Sequence, residues 1–174
     1  MTTDSDLRPN LGNGADSLHS SFREKLLEHV FVAELLQEVW LSNRQTMEVL
    51  RPEVDVSGYD LVLDREGVIR YVQLKSSRAD AKTNRQTVNS VLADKPGGCV
   101  IWLIFQECDR RVKLEYLVFG GRPNEKLDLG TKVGRHTKAD ATGYKAERPN
   151  TRVISRSRFT KMQSTSDLMR WLFD

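Results

Sequence analysis

Three polar side chains of one predicted β-hairpin have types and spacing that could carry chemistry together. The hairpin alternates around leucines over residues 59–64, turns at 65–67 and returns over 68–75. Because side chains alternate along a strand, Gln73 and Lys75 share one face of the return strand, and Asp60 lies on its partner strand. A carboxylate, an amide carbonyl and an ammonium group can together hold Mg²⁺ against a phosphodiester and assist an attacking water.

This arrangement resembles the signature of the PD-(D/E)xK nuclease superfamily, the restriction endonuclease-like proteins. In that signature an acidic residue lies on one strand and an acidic-x-Lys triplet lies on the next. Asp60 matches the first acid and Lys75 the lysine, and Gln73 stands at the position of the second acid. The resemblance covers about residues 18–119. It implies a mixed central sheet flanked by helices and a metal-dependent nuclease that hydrolyses phosphodiester bonds, with DNA as the expected substrate.

The resemblance also implies a role for each site residue. Glu34, Asp60 and Gln73 are the expected ligands of Mg²⁺, with Mn²⁺ as the alternative ion, and Lys75 is expected to assist the nucleophile. These four residues form the predicted catalytic set. In the superfamily a glutamate from an earlier helix often completes the site, and Glu34 is the candidate for that position here.

Glu34 is chosen because of its place on a predicted helix over residues 18–41. Its carboxylate is expected on a largely apolar, core-facing stripe, where an unpaired charge would be costly and a bound cation would explain it. The stripe residues stacked below it are Leu27, Val30 and Phe31. Two alternatives stay open: Glu38, one turn later, competes for the role, and Glu34 could instead reach solvent or pair with an arginine.

Less specific interpretations of the hairpin also stay open. Asp60 and Lys75 could form an exposed cross-strand ion pair, which would contribute little stability. The neutral Gln73 lowers the negative charge of the site and so favours a second function, a non-catalytic nucleic-acid-binding or assembly module that keeps the nuclease fold. A third possibility is an interaction protein in which these charges are ordinary surface.

The charge distribution is uneven, which fits either a solvated, loop-rich surface or a polyanionic partner. The net charge is +3, but residues 1–66 carry six Lys and Arg against thirteen Asp and Glu, and residues 67–174 carry twenty-one against eleven. Such a basic half is expected of a nucleic-acid-binding protein. The candidates for contacting nucleic acid are Ser76, Ser77, Lys82, Arg85, Arg135 and Lys138.

The remaining patterns predict an α/β or α+β fold. Residues 1–16 indicate a flexible lead-in, and residues 17–174 indicate a single domain with a basic part over about 122–161. A polar helix is predicted over about 85–93, an entirely apolar central strand over 99–105 and another strand over 111–119. Residues 122–150 show no clear period, and a short amphipathic helix is predicted over 167–173, with Ser164 or Ser166 as its cap.

Composition argues against several other classes. No stretch approaches the length of apolar sequence that crosses a bilayer, so no membrane partner is expected. Two cysteines outside any CxxC pair favour a reducing, intracellular compartment, and the resemblance implies a cytoplasmic location. The three histidines lack zinc-ligand spacing, and no P-loop or dinucleotide fingerprint is present. Pairing of two copies is an open expectation, because nucleases of this type often pair subunits.

Overall fold

A computed structural model describes residues 19–54, 56–136, 143 and 145–174. The described part is a mixed α+β structure, which confirms the predicted fold class. A six-stranded mixed sheet carries helices on one face and a three-stranded antiparallel sheet on the other. The predicted lead-in over residues 1–16 and the candidate Lys138 lie outside the described residues.

The described chain begins with a long helix, continues through the strands of both sheets and ends with a short helix. They are α1 (Ser20–Asn43), β1 (Glu48–Leu50), β2 (Leu61–Arg65), β3 (Val68–Arg78), β4 (Arg85–Asn89), a 3₁₀ turn (Ser90–Asp94), β5 (Gly98–Cys108), β6 (Arg111–Gly120), β7 (Val133–Arg135), β8 (Glu147–Ser155), a second 3₁₀ turn (Arg156–Arg158), β9 (Thr160–Lys161) and α2 (Thr165–Phe173).

The large sheet has the strand order β1-β2-β3-β5-β6-β9. Its β2–β3 pair is the predicted hairpin, in antiparallel register from Leu61 opposite Val72 to Arg65 opposite Val68. Strand β3 then pairs with β5 in parallel. A parallel pair needs a crossover connection, and here residues 79–97 supply it.

Strand β5 is buried on both faces, as its unbroken apolar sequence predicts. One face contributes Cys99, Ile101, Leu103 and Phe105 to a core under the helices, where the inner stripe of α1 packs with α2. The other face contributes Val100, Trp102 and Ile104 to a second core under the small sheet. The apolar side chains of β5 therefore point alternately into two separate cores, one under the helices and one under the small sheet.

The small sheet, in the order β4-β8-β7, corrects one expectation and gives structure to a stretch for which the sequence predicted none. The helix predicted over 85–93 is wrong, because residues 85–89 form a strand and residues 90–94 a 3₁₀ turn, begun by the Asn89 side chain accepting a hydrogen bond from the Val91 N–H at 3.1 Å. The stretch 122–150 contains β7 and the start of β8. Pairing with distant strands decides this region, and a local period cannot reveal such pairing.

Helix α2 confirms the predicted C-terminal helix and extends it by two residues. Of the two cap candidates, Ser164 is the one used, since its side chain accepts a hydrogen bond from the Asp167 N–H at 3.0 Å. Neither α1 nor α2 is long and apolar enough to cross a membrane.

Candidate functional site

A cavity of about 500 Å³ lies where the β2–β3 hairpin, the N-terminal half of α1 and β4 meet. The hairpin side of the lining includes all three residues that the sequence singled out. The lining residues are Asp60, Gln73, Leu74, Lys75 and Ser76 from the hairpin region, Glu24, Lys25, Leu27 and Glu28 from α1, and Gln86 and Leu103. The structure thus brings Asp60, Gln73 and Lys75 to one concave surface.

Asp60 is held at the point where the β2–β3 ladder ends. Its backbone N–H donates to the Val72 carbonyl at 2.8 Å, and its Oδ2 accepts from the Leu74 N–H at 2.6 Å. The carboxylate oxygen therefore accepts the Leu74 N–H, which a backbone carbonyl would accept if the β2–β3 ladder continued. A hydrogen bond from a backbone N–H to a carboxylate is short and strong, so the carboxylate has a fixed position at the cavity wall.

Gln73 connects the hairpin to the crossover. Its side chain is almost fully buried, at 8% exposure, and its Oε1 accepts from the Asn89 N–H at 3.0 Å. Asn89 is the last residue of β4, so this bond positions β4 against β3. A neutral amide satisfies that buried donor without placing a second carboxylate at this nearly buried position.

Lys75 and the two serines that follow it have different surroundings. Lys75 and Ser76 are half-buried and line the cavity. Ser77 accepts a hydrogen bond from the Trp102 indole N–H at 2.8 Å. The hydroxyl of Ser77 therefore satisfies a buried tryptophan of the second core, and the structure does not bring it into the cavity.

The helical acid of the site is not the one that the sequence indicated. Glu34 accepts a hydrogen bond from the hydroxyl of Tyr116, a residue of β6. Glu38 accepts one from the Ser42 hydroxyl. The helix carboxylates that line the cavity are Glu24 and Glu28. Six residues of helix separate Glu34 from Glu28, which is about 9 Å along the axis, and that rise carries Glu34 past the cavity.

Tyr116 is strongly affected by its contact with Glu34. Burial raises the pKa of the Tyr116 hydroxyl far above its ordinary value, and the hydrogen bond and negative charge of Glu34 raise it further. The hydroxyl therefore stays protonated and donates to Glu34. This bond satisfies a half-buried carboxylate without a cation, through a tyrosine hydroxyl that the sequence analysis did not anticipate as its partner.

Glu28 is the most buried acid of the cavity wall. Its side chain is 6% exposed, and its two oxygens accept from Arg51 at 2.6 Å and from Lys25 at 2.8 Å. Burial raises the pKa of the Glu28 carboxyl, but the hydrogen bonds and charges of Lys25 and Arg51 outweigh it and hold the pKa below its ordinary value. The sequence analysis did not identify Glu28 as a cavity residue, because the apolar pattern of α1 does not show which end of the helix lies over β3.

The candidates for contacting nucleic acid are dispersed. Lys82 and Arg85 are exposed, and Arg85 directly precedes Gln86 of the cavity lining. Arg135 is on β7, two strands away from β4 and about 10 Å from it by sheet spacing, and it forms an ion pair with Glu147 at 3.5 Å. The structure therefore brings Ser76 and Arg85 toward the cavity and leaves Arg135 at the far edge of the small sheet.

The polar side chains around the cavity are carboxylates, amides, ammonium groups and one serine hydroxyl. Within the described ranges, no group of three or more His, Cys, Asp and Glu side chains is close enough together to hold a metal ion. No protein-family model, no curated protein and no solved structure matches this chain.

Proposed function

We propose that this protein is a metal-dependent nuclease of the PD-(D/E)xK type that hydrolyses phosphodiester bonds in DNA. The observation that carries the proposal is that Asp60, Gln73 and Lys75 line one cavity together with the helix carboxylates Glu24 and Glu28. The hairpin followed by a parallel strand, with α1 across the sheet, is consistent with the fold that the resemblance implies.

The donors present have the right chemistry for Mg²⁺ or Mn²⁺, which prefer oxygen ligands. Asp60 and Gln73 would hold the ion. The hydrogen bond from the Leu74 N–H to Asp60 is compatible with this, because a carboxylate has about four lone-pair sites. The Gln73 carbonyl likewise has a second lone pair beside the one facing Asn89. When bound, the ion would lower the pKa of a water and polarise the phosphate.

The other cavity residues would act directly on the substrate. The Lys75 ammonium would orient the attacking water or stabilise charge that develops on the phosphate oxygens. The Ser76 hydroxyl would donate to a phosphate oxygen. Glu24, an exposed helix carboxylate that lines the same cavity, would take the helical role first predicted for Glu34.

Substrate attraction would come from the basic half of the chain. Lys82 and Arg85 are on the crossover side of the cavity, where a polyanion would approach. Contacts of this kind release counterions, so binding would weaken steeply as salt increases. We further propose a reducing, cytoplasmic location, in which both cysteines, free in the structure, remain thiols.

A second candidate is a nucleic-acid-binding module that has no catalytic activity. Two observations favour it: Gln73 contributes no charge, and Glu28 is already neutralised by Lys25 and Arg51. Because Gln73 is neutral and the charge of Glu28 is compensated, few negative charges in the cavity remain to attract a divalent ion. The two candidates share the same cavity and differ in metal-dependent turnover.

The test is cleavage of single-stranded, linear double-stranded and supercoiled DNA with Mg²⁺ or Mn²⁺. We expect Lys75→Ala and Asp60→Asn to abolish cleavage and Glu24→Gln to reduce it. Glu34→Gln is the matched control, because it makes the same change on the same helix outside the cavity, and it should cut normally. Wild-type protein that binds DNA but cuts with neither metal would leave the binding module as the function. Cleavage that survives Lys75→Ala would refute this site.

A further inference from the structure

The outward face of α1 carries an apolar stripe that the fold does not cover. Its members are Phe22, Leu26, His29, Ala33, Leu36 and Trp40, all classed as exposed. Their spacing alternates between four and three residues, which is the a/d spacing of helices that pack against another helix. The opposite face of α1 supplies the residues buried against the large sheet. The helix therefore has two apolar faces, and one of them lacks a partner within the described residues.

The stripe is comparable in size to the largest apolar patch of a typical monomer. Phe22 is 73% exposed and Trp40 is 51% exposed, and the two stripe leucines are 40% and 41% exposed. Since a buried aromatic side chain contributes about 150–250 Å², the stripe presents roughly 400 Å² of apolar surface. A groove of about 930 Å³ beside Leu26 and Val30 extends this surface toward the β5–β6 hairpin. Patches of this size on a monomer are often functional.

The remaining parts of the chain do not supply a matching stripe. Residues 1–18, which precede α1, contain Leu7, Leu11 and Leu18 as their only large aliphatic residues besides Met1, and they are interrupted by Pro9 and two glycines. Residues 137–144 contain one large apolar residue, Tyr144. Neither stretch has apolar residues at helical spacing over the length of the exposed face.

We infer that the occupant of this face is a second copy of the chain, with its α1 antiparallel to the first. The stripe is self-complementary under a two-fold axis near Phe31. Phe22 would meet Trp40 of the partner subunit, Leu26 would meet Leu36 of the partner subunit, and the small Ala33 would leave room for His29 of the partner subunit. Antiparallel alignment also opposes the helix dipoles favourably.

The area is sufficient for a stable dimer. Two stripes bury roughly 800 Å² of apolar surface, and because a homodimer interface is about 65% apolar, the whole interface is about 1,200 Å². That value lies at the lower end of specific interfaces. A dimer that dissociates at micromolar concentration is therefore expected, and its formation does not depend on the proposed nuclease activity.

The test is the mass of nucleic-acid-free protein, measured by light scattering or sedimentation between about 1 and 200 µM. We expect a monomer–dimer equilibrium that Leu36→Glu weakens by at least about 100-fold, because it places charges in an apolar interface. Leu41→Glu is the matched control, since Leu41 is 68% exposed but lies off the stripe; it should dimerise normally. Protein that stays monomeric throughout, or a dimer indifferent to Leu36→Glu, would overturn the inference.

Orientation and the competing occupant have their own tests. In a Cys108→Ser background, His29→Cys and Ala33→Cys proteins should form a mixed disulfide when combined. Self-linked Ala33→Cys as the main product would indicate parallel helices and overturn the antiparallel arrangement. A wild-type monomer that dimerises only after deletion of residues 2–18 would show that the chain's own N-terminal segment covers the stripe, and the inference would fail.

Discussion

The Glu28 ion pair allows one prediction to be worked through quantitatively. Glu28→Gln preserves the size of a side chain that is 6% exposed and removes the charge that binds Arg51 and Lys25. Hydrogen bonds to a charged group contribute about 1.5–3 kcal/mol each. The partners are 41% and 68% exposed, so solvent screening reduces both contributions and the Lys25 pair adds only about 0.3–0.5 kcal/mol. We expect a loss of about 2 kcal/mol at neutral pH.

The pH dependence has a definite sign. In the folded protein the pKa of Glu28 lies below its ordinary value of 4.5. The stabilisation is therefore complete above about that pH and is lost as the pH falls through the lower, folded-state pKa, because the native carboxylate must then take up a proton. The gap between wild type and Glu28→Gln should narrow in the same window, where the wild-type side chain also becomes neutral.

The assay is urea unfolding of both proteins from pH 7 down to pH 3. Glu48→Gln is the matched control, because it makes the same change on an exposed carboxylate of β1, and it should alter stability by less than about 0.5 kcal/mol. A gap near zero at pH 7, or one that stays constant down to pH 3, would refute the view that the charge of Glu28 stabilises the fold.

Three further substitutions test other parts of the structure. Tyr116→Phe removes the hydroxyl that Glu34 accepts from and should cost about 1–3 kcal/mol of unfolding free energy. Gly97→Ala should cost about 2–4 kcal/mol in thermal or urea unfolding, because Gly97 has a φ of +73° and an added Cβ would lie 2.6 Å from the Ile69 carbonyl oxygen. Arg85→Ala should lower the slope of log binding constant against log salt by about 1 in DNA titrations, and an unchanged slope would remove Arg85 from the interface.

The sequence could predict the elements whose signal is local. The β2–β3 hairpin has alternation and a tight turn, β5 has an unbroken apolar run, and α2 has a serine cap, and the structure contains all three. The same local signals brought Asp60, Gln73 and Lys75 together, because two paired strands fix the relative position of their side chains.

The missed features depend on contacts distant in sequence. Strand β4 pairs with β8, about sixty residues later, so a polar stretch with no strand period forms a strand. Similarly, the acid that reaches the cavity depends on where α1 crosses the sheet. A heptad position predicts that Glu34 faces inward, but it cannot distinguish a cation from the Tyr116 hydroxyl as its partner.

The placement of β4 has a consequence for how this chain could be divided. Strand β4 lies inside the connection between β3 and β5 of the large sheet, whereas its partner β8 follows β6 and β7. A fragment that ends after β6 would retain β4 without β8, and the complementary fragment would hold β7 and β8 without their edge partner. Two such fragments have reason to reassociate, because five paired residues of β4 and β8 and the core beneath them join one fragment to the other. The basic part of the chain therefore folds together with the hairpin that lines the cavity. It should not fold as an independent unit if it is moved to another protein.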